Sequence, residues 1–226
     1  VTSDDRKYDR LRARLVEDLR VKGIEDERVL AAIGRVPRHR FVEPAMQQRA
    51  YEDEALPIGL NQTISQPYTV AHQTLLIEPK RRDRILEIGT GSGYQAAVLC
   101  EMGAEVYSIE RHQALHDRAK AILRELGYRV ITKCGDGTLG WPAFAPYDKI
   151  VVTAGAAGVP EALLEQLAQP KGDTSGGCLV IPVGSADEQM MKRIYRTGEH
   201  TYRHEETNVF RFVPLVGEGK LIRGNR

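Results

Sequence analysis

The sequence predicts an α/β protein: a Rossmann-like, doubly wound, mostly parallel sheet with a C-terminal antiparallel hairpin and an N-terminal helical and loop cap. Three observations predict it. Between residues 80 and 183, short apolar runs of strand length alternate with segments of helical spacing, the order that builds a parallel sheet covered on both faces. A glycine-rich turn, residues 89–93, follows the first of those runs. After Val183 the alternation stops, and two strand-like segments follow with only a polar stretch between them. Strands without a crossover pair antiparallel.

The elements can be justified in order. Leu11, Leu15, Val16 and Leu19 repeat at helical spacing over residues 4–22, and Gly23 supplies a stop. A second helix is expected over 26–33, ending before Pro37. Residues 41–66 hold Pro44, Pro57, Gly59 and Asn61 with little periodicity, a connection long enough to suggest function. A helix is predicted from Pro67 to the stop at Pro79, then a strand at 84–88, a helix at 94–102, a strand at 105–109 and a helix at 112–126. Strands at 129–133 and 149–153, a helix at 160–168 and a strand at 178–183 continue the pattern. Segments 189–196 and 209–216 are read as the closing hairpin. The expectation is a single domain: residues 1–79 form N-terminal helices and a loop, 80–217 an α/β core, and 218–226 a polar tail.

Composition narrows the function classes. With 42% hydrophobic and 28% charged residues, the 226-residue chain can bury a core of ordinary size. A net charge of +1 gives no electrostatic case for nucleic acid or an anionic membrane. No apolar run is long enough to cross a bilayer, and the first twenty residues lack the apolar core of a secretory leader. Cys100, Cys134 and Cys178 are odd in number and sit in or beside apolar segments, as reduced thiols do. The expectation is a cytoplasmic monomer without a metal site.

The turn Glu87-Ile88-Gly89-Thr90-Gly91-Ser92-Gly93 places three glycines at the carboxyl end of a strand, where open α/β sheets bind ligands. The next strand ends in Glu110, a carboxylate suited to two ribose hydroxyls, and the one after it in Gly135-Asp136-Gly137. Each signal has a plain alternative: a tight turn, a solvated strand end, a turn-forming aspartate. Three of them at three successive strand ends are harder to dismiss. The order resembles that of the Rossmann-like methyltransferases that bind S-adenosylmethionine. A nicotinamide dehydrogenase is the competing reading, and the G-x-G-x-G spacing counts against it.

The run Leu56-Pro57-Ile58-Gly59-Leu60-Asn61-Gln62-Thr63-Ile64-Ser65-Gln66-Pro67 closely resembles the signature of protein-L-isoaspartate O-methyltransferases. Arg35-Val36-Pro37-Arg38, Gly135-Asp136-Gly137, Ala145-Pro146-Tyr147-Asp148 and Phe212-Val213-Pro214-Leu215 extend it in order along residues 11–217. The resemblance implies transfer of a methyl group from S-adenosyl-L-methionine to the α-carboxylate of L-isoaspartyl residues in damaged proteins, leaving S-adenosyl-L-homocysteine. It implies Ser65 as the active-site serine, also touching substrate and cofactor, with Gln62, Thr63 and Ile64 along the cofactor. Glu87, Gly89, Thr90, Gly91 and Gly93 would hold its methionine part, Glu110 its ribose, and Asp136 with Gly137 its adenine. The backbone at Val213 and Leu215 would pair with the substrate peptide. On spacing alone, Ser65 reads as a helix-capping serine ahead of Pro67. An alternative acceptor is a dedicated peptide carboxylate.

The chain departs from the family pattern in two places. Ala154-Gly155-Ala156-Ala157 stands where A-A-A-P is usual, and residues 171–175 read as an inserted surface loop.

Overall fold

The computed structural model describes residues 3–172 and 175–222. Helix α1 (Ser3–Val21) is followed by α2 (Glu27–Arg35), whose first turn is capped by Asp26 accepting from the Arg28 N–H at 2.8 Å. The loop-rich segment 41–66 is more ordered than its composition suggests. A 3₁₀ turn at Arg38–Phe41 leads into it, and it holds another at Pro44–Arg49 and a small hairpin of β1 (Leu56–Gly59) and β2 (Gln62–Ile64). Leu60 and Asn61 both take positive φ, the geometry of a two-residue hairpin turn.

Helix α3 (Pro67–Ile77) leads into β3 (Arg84–Ile88), α4 (Tyr94–Glu101), β4 (Glu105–Glu110), α5 (Gln113–Glu125) and β5 (Val130–Cys134). Then come β6 (Lys149–Val152), β7 (Val159–Pro160), α6 (Glu161–Glu165), β8 (Cys178–Gly184), β9 (Gln189–Arg196), β10 (Tyr202–Phe210) and β11 (Leu221–Ile222). The main sheet runs β10-β9-β8-β6-β3-β4-β5. Its five strands from β8 to β5 are parallel, and β9 and β10 are antiparallel. Apolar residues alternate between its faces. Ile85, Val106, Val151 and Val180 pack with α1 to α5 on one side, while Leu86, Tyr107, Ile150 and Leu179 pack with α6 and the Trp141 and Phe144 turn on the other.

Three expectations need correction. The last strand was expected at 209–216, but it is the polar stretch Tyr202–Phe210 that pairs with β9, for example Glu206 opposite Lys192. An edge strand with one solvated face needs little apolar patterning, and Pro214 has no N–H to give a ladder. Residues beyond Phe210 instead cross the carboxyl edge of the sheet, where Pro214 bridges to Gly155. The helix expected over 160–168 is only the short α6: Val159 and Pro160 pair with β11 before it, and Gln166 to Ala168 bond to Tyr147 after it. That pairing, with the Glu218 and Gly219 N–H groups held by Asp136 and Thr138, shows that residues 218–222 are not a free tail; residues 223–226 lie outside the described residues. In the inserted loop Lys171, Gly172 and Ser175 are exposed, and residues 173 and 174 lie outside the described residues.

Candidate active site

The chain runs from β3 outward through β4 to β5, then returns to β6 on the other flank of β3. The carboxyl ends of β3 and β6 therefore meet where the strand order reverses, the usual ligand crevice of such sheets. Gly89 opens the loop there at φ +95°, and its N–H donates to the Ile109 carbonyl at 2.8 Å. A Cβ at Gly89 would lie 2.6 Å from Thr153 Oγ1, and one at Gly137 2.4 Å from Ile88 Cγ2. No larger residue fits either place without displacing its neighbour.

Around this point lies a cavity of about 300 Å³, within the range of small-molecule sites. Gln62, Thr63, Ile64 and Ser65 line one wall. Gly89, Thr90 and Gly91 line the floor, with Glu110 and Gly137 at the strand ends beyond. The Glu110 carboxylate accepts from the Gly91 N–H at 2.7 Å and the His112 N–H at 2.9 Å, one on each oxygen. Each oxygen keeps a lone pair for a further donor.

Three residues expected at the cofactor are not on the cavity wall. Glu87 is fully buried beneath the loop, where Ser108 donates to it and Thr90 bonds Ser108 in turn. Burial, with the Glu110 charge nearby, pushes its carboxyl up to about 8. Gly93 faces α5, where a Cβ would stand 3.3 Å from Leu123. It serves helix packing. Asp136 accepts from the Thr138 N–H and hydroxyl at 2.8 and 2.6 Å and from the Glu218 N–H at 2.7 Å. Partial burial opposes its charge, but those donors hold its carboxyl below the ordinary range. It anchors the C-terminal segment, and Gly137 beside it reaches the cavity.

Ser65 is not a helix cap. Asp53 does that work, accepting from the Tyr68 N–H at 2.8 Å and from Gln66 Nε2 at 3.1 Å. The Ser65 carbonyl is held instead by Arg38, a fully buried guanidinium whose Nη2 donates to it at 2.9 Å and whose Nε donates to the Ala50 carbonyl at 2.7 Å. Burial pulls the Arg38 pKa down to about 10, so it remains a cation at neutral pH. Among the described residues the Ser65 hydroxyl has no hydrogen-bond partner; the residue is half-buried and lines the cavity.

A second cavity, about 480 Å³, adjoins the first and is walled by Ala55, Gln66, Tyr68, Phe210 and Phe212, with Asp187, Glu188 and Arg211 at its rim. Thr63, Ser65, Thr153 and Val213 border both cavities. Val213 and Leu215 line the first, each with one backbone group tied to Gly155. The Gly155 N–H donates to the Val213 carbonyl at 2.8 Å, and the Leu215 N–H donates to the Gly155 carbonyl at 2.7 Å. The bridge takes up the Val213 carbonyl and the Leu215 N–H, so any pairing with a peptide at these residues falls to the Val213 N–H and the Leu215 carbonyl. A Cβ at Gly155 would come within 2.8 Å of the Gln189 side chain.

The sequence reading missed Thr153, Arg38 and Asp53, and with them Tyr94 and Gln95 on the cavity wall. Thr153 stands at a strand's carboxyl end, the rule that found Gly89 and Glu110. Nothing local marks the other four; the partners of their side chains are 12 or more residues away.

The family model described as protein-L-isoaspartate(D-aspartate) O-methyltransferase matches residues 10–220. The chain belongs to that family. A protein-L-isoaspartate O-methyltransferase of Salinibacter ruber is 64% identical over 220 residues, 96% of each chain, and one of Cytophaga hutchinsonii is 52% identical over 208 residues, 92% of this chain and 91% of the other. Among solved structures, a protein-L-isoaspartate O-methyltransferase superposes with a TM-score of 0.80 at 30% identity, covering 91% of this chain and 66% of that one. A Plasmodium falciparum structure in complex with S-adenosyl-L-homocysteine superposes at 0.78 with 22% identity, a likeness of fold alone.

A protein-L-isoaspartate O-methyltransferase uses S-adenosyl-L-methionine, and the first cavity fits it. Apolar strand ends at Ile88 and Ile109, positive-φ glycines that let a ligand approach the backbone, and an acceptor-only carboxylate at Glu110 suit the cofactor's apolar, cationic and hydroxyl-bearing parts.

Proposed function

We propose that the enzyme methylates the α-carboxylate of an L-isoaspartyl residue where the two cavities meet, with Ser65 as the residue that orients the acceptor oxygen. What carries the reading is that Thr63, Ser65 and Val213 edge both cavities, and that the Ser65 hydroxyl has no partner among the described residues. The first cavity takes S-adenosyl-L-methionine along Gln62 to Ser65, with Gly89 to Gly91 at the methionine part, Glu110 at the ribose and Gly137 at the adenine. The second takes the damaged peptide.

When bound, the cofactor supplies an electrophilic sulfonium methyl group. The acceptor carboxylate is ionised at neutral pH, so no general base is needed. Opposite charges cancel as the methyl moves, and a dry site with few donors favours that step over the charged ground state. A single hydroxyl at Ser65 directs one carboxylate oxygen without burying its charge in hydrogen bonds. Arg38 keeps the serine in place through its carbonyl, and Tyr68, Phe210 and Phe212 exclude water from the acceptor side. Positioning supplies most of the acceleration.

No helix of the described residues is long and apolar enough to cross a membrane. The reading extends to a monomer working in the cytoplasm on damaged proteins and not on nucleic acid; three free thiols and a net charge of +1 support it.

The test uses an isoaspartyl peptide, its aspartyl twin and labelled cofactor. Methylation of the first alone is expected. Ser65→Ala should lower kcat roughly 100-fold, the lower end of what one positioned donor contributes, while S-adenosyl-L-homocysteine affinity by calorimetry changes little. Equal methylation of both peptides, or an unimpaired variant, would refute the assignment.

A further inference from the structure

Four residues border both cavities, and one of them, Thr153, has no place in the reading above. It follows the last residue of β6, at the point where the strand order reverses. Its backbone N–H donates to the Ile88 carbonyl at 3.0 Å. Its hydroxyl lies 3.0 Å from that same carbonyl and 2.6 Å from the Gly89 carbonyl, a geometry in which it donates. The Gly89 contact is the shorter by 0.4 Å and is the one the hydroxyl's single proton serves best.

Two consequences follow from that contact. The hydroxyl has one proton, and it is spent on the protein, so Thr153 can wall the acceptor side without giving the reacting carboxylate a second donor. The Gly89 carbonyl, in turn, is fixed next to the junction. Glycine at φ +95° has no side chain to restrain its peptide, and without Thr153 that carbonyl would lose its hydrogen bond, leaving its peptide held only by the Thr90 N–H on the Ile109 carbonyl at 3.2 Å. A carbonyl dipole held beside the first cavity would offer negative charge to a cationic cofactor bound there.

We infer that Thr153 is a positioning residue for methyl transfer: through the Gly89 carbonyl, it sets the line between donor methyl and acceptor oxygen. The inference rests on the proposed placing of the reaction at the junction of the cavities.

Thr153→Val keeps shape and removes the hydroxyl; Thr153→Ser keeps the hydroxyl. With the isoaspartyl peptide, Thr153→Val should lower kcat about 10-fold or more, since small misplacements at the reacting atoms are costly, with peptide KM and S-adenosyl-L-homocysteine affinity within about threefold of wild type. Thr153→Ser should keep near wild-type kcat. Unchanged kcat in Thr153→Val, an equal fall in Thr153→Ser, or a loss wholly in cofactor affinity would each overturn the inference. If melting shows the valine variant unfolded, Thr153→Ala makes the same comparison with a smaller side chain. Failure of the wild type to prefer the isoaspartyl peptide defeats the underlying reading and takes this one with it; a discriminating wild type beside an unaffected Thr153→Val defeats this one alone.

Discussion

Glu87 places a carboxyl in the middle of a seven-stranded sheet, where solvent cannot reach it. Its immediate partner is the Ser108 hydroxyl, and desolvation with the Glu110 charge nearby pushes its pKa to about 8 from an ordinary 4.5. The folded state therefore holds that proton more tightly than the unfolded chain does. Stability is full below about pH 4.5 and is lost as pH rises through about 8. Glu87→Gln cannot ionise and should lack that fall. Its Tm should exceed the wild-type value by several degrees at pH 8, at roughly 2–4 °C per kcal/mol for a chain of this size, and converge on it near pH 4.5. Parallel Tm curves across that range would mean that Glu87 does not carry the proton. The motif around Glu87 was plain in the sequence, yet its side chain was assigned to the cofactor. In a strand buried on both faces there is no polar alternation to say which way residue 87 points. Its neighbours Leu86 and Ile88 pack on the opposite face from it, and that only the pairing of β3 with β4 and β6 reveals.

At the scale of elements, the turn before α3 decides where Ser65 can be. Asp53, from thirteen residues earlier, caps the helix and bonds Gln66, which releases the serine from a capping role. Its ion pair with the half-exposed Lys22 adds little by comparison. Asp53→Ala should cost about 1–2 kcal/mol, the usual loss of a cap, visible in urea denaturation. It should also lower kcat, because the chain at Ser65 loses its anchor on one side. A destabilised variant with full kcat would show that Arg38 alone suffices to hold the serine. Local chemistry made α3 legible from Pro67 at its start, but the cap is not in the local sequence, and a serine just ahead of a proline looked sufficient. Strand β10 failed for the converse reason. Its alternation is weak because one edge and one face meet water, so its polar residues looked like a connection.

At the scale of the whole molecule, periodicity told where helices α1 and α2 run and that each has an apolar face; it could not tell what covers those faces. The division at residue 79 followed from that gap. In the structure Leu19, Ile33, Phe41 and Ile58 share one apolar cluster with Ile85, Val106 and Val151 of the sheet. The N-terminal part is therefore packed into the same core that supports the glycine loop, and we expect it to unfold with it. Leu19→Ala removes a fully buried side chain far in sequence from the site and should cost about 2–5 kcal/mol. Trp141, the chain's single tryptophan, lies on the other face of the sheet against Tyr107. If both faces belong to one cooperative unit, Trp141 fluorescence and far-ultraviolet circular dichroism should move to lower urea together in Leu19→Ala, with superimposable midpoints. A fluorescence midpoint that stays at its wild-type position while the dichroism shifts would divide the molecule at the sheet, and the N-terminal cap would then be a separable lid.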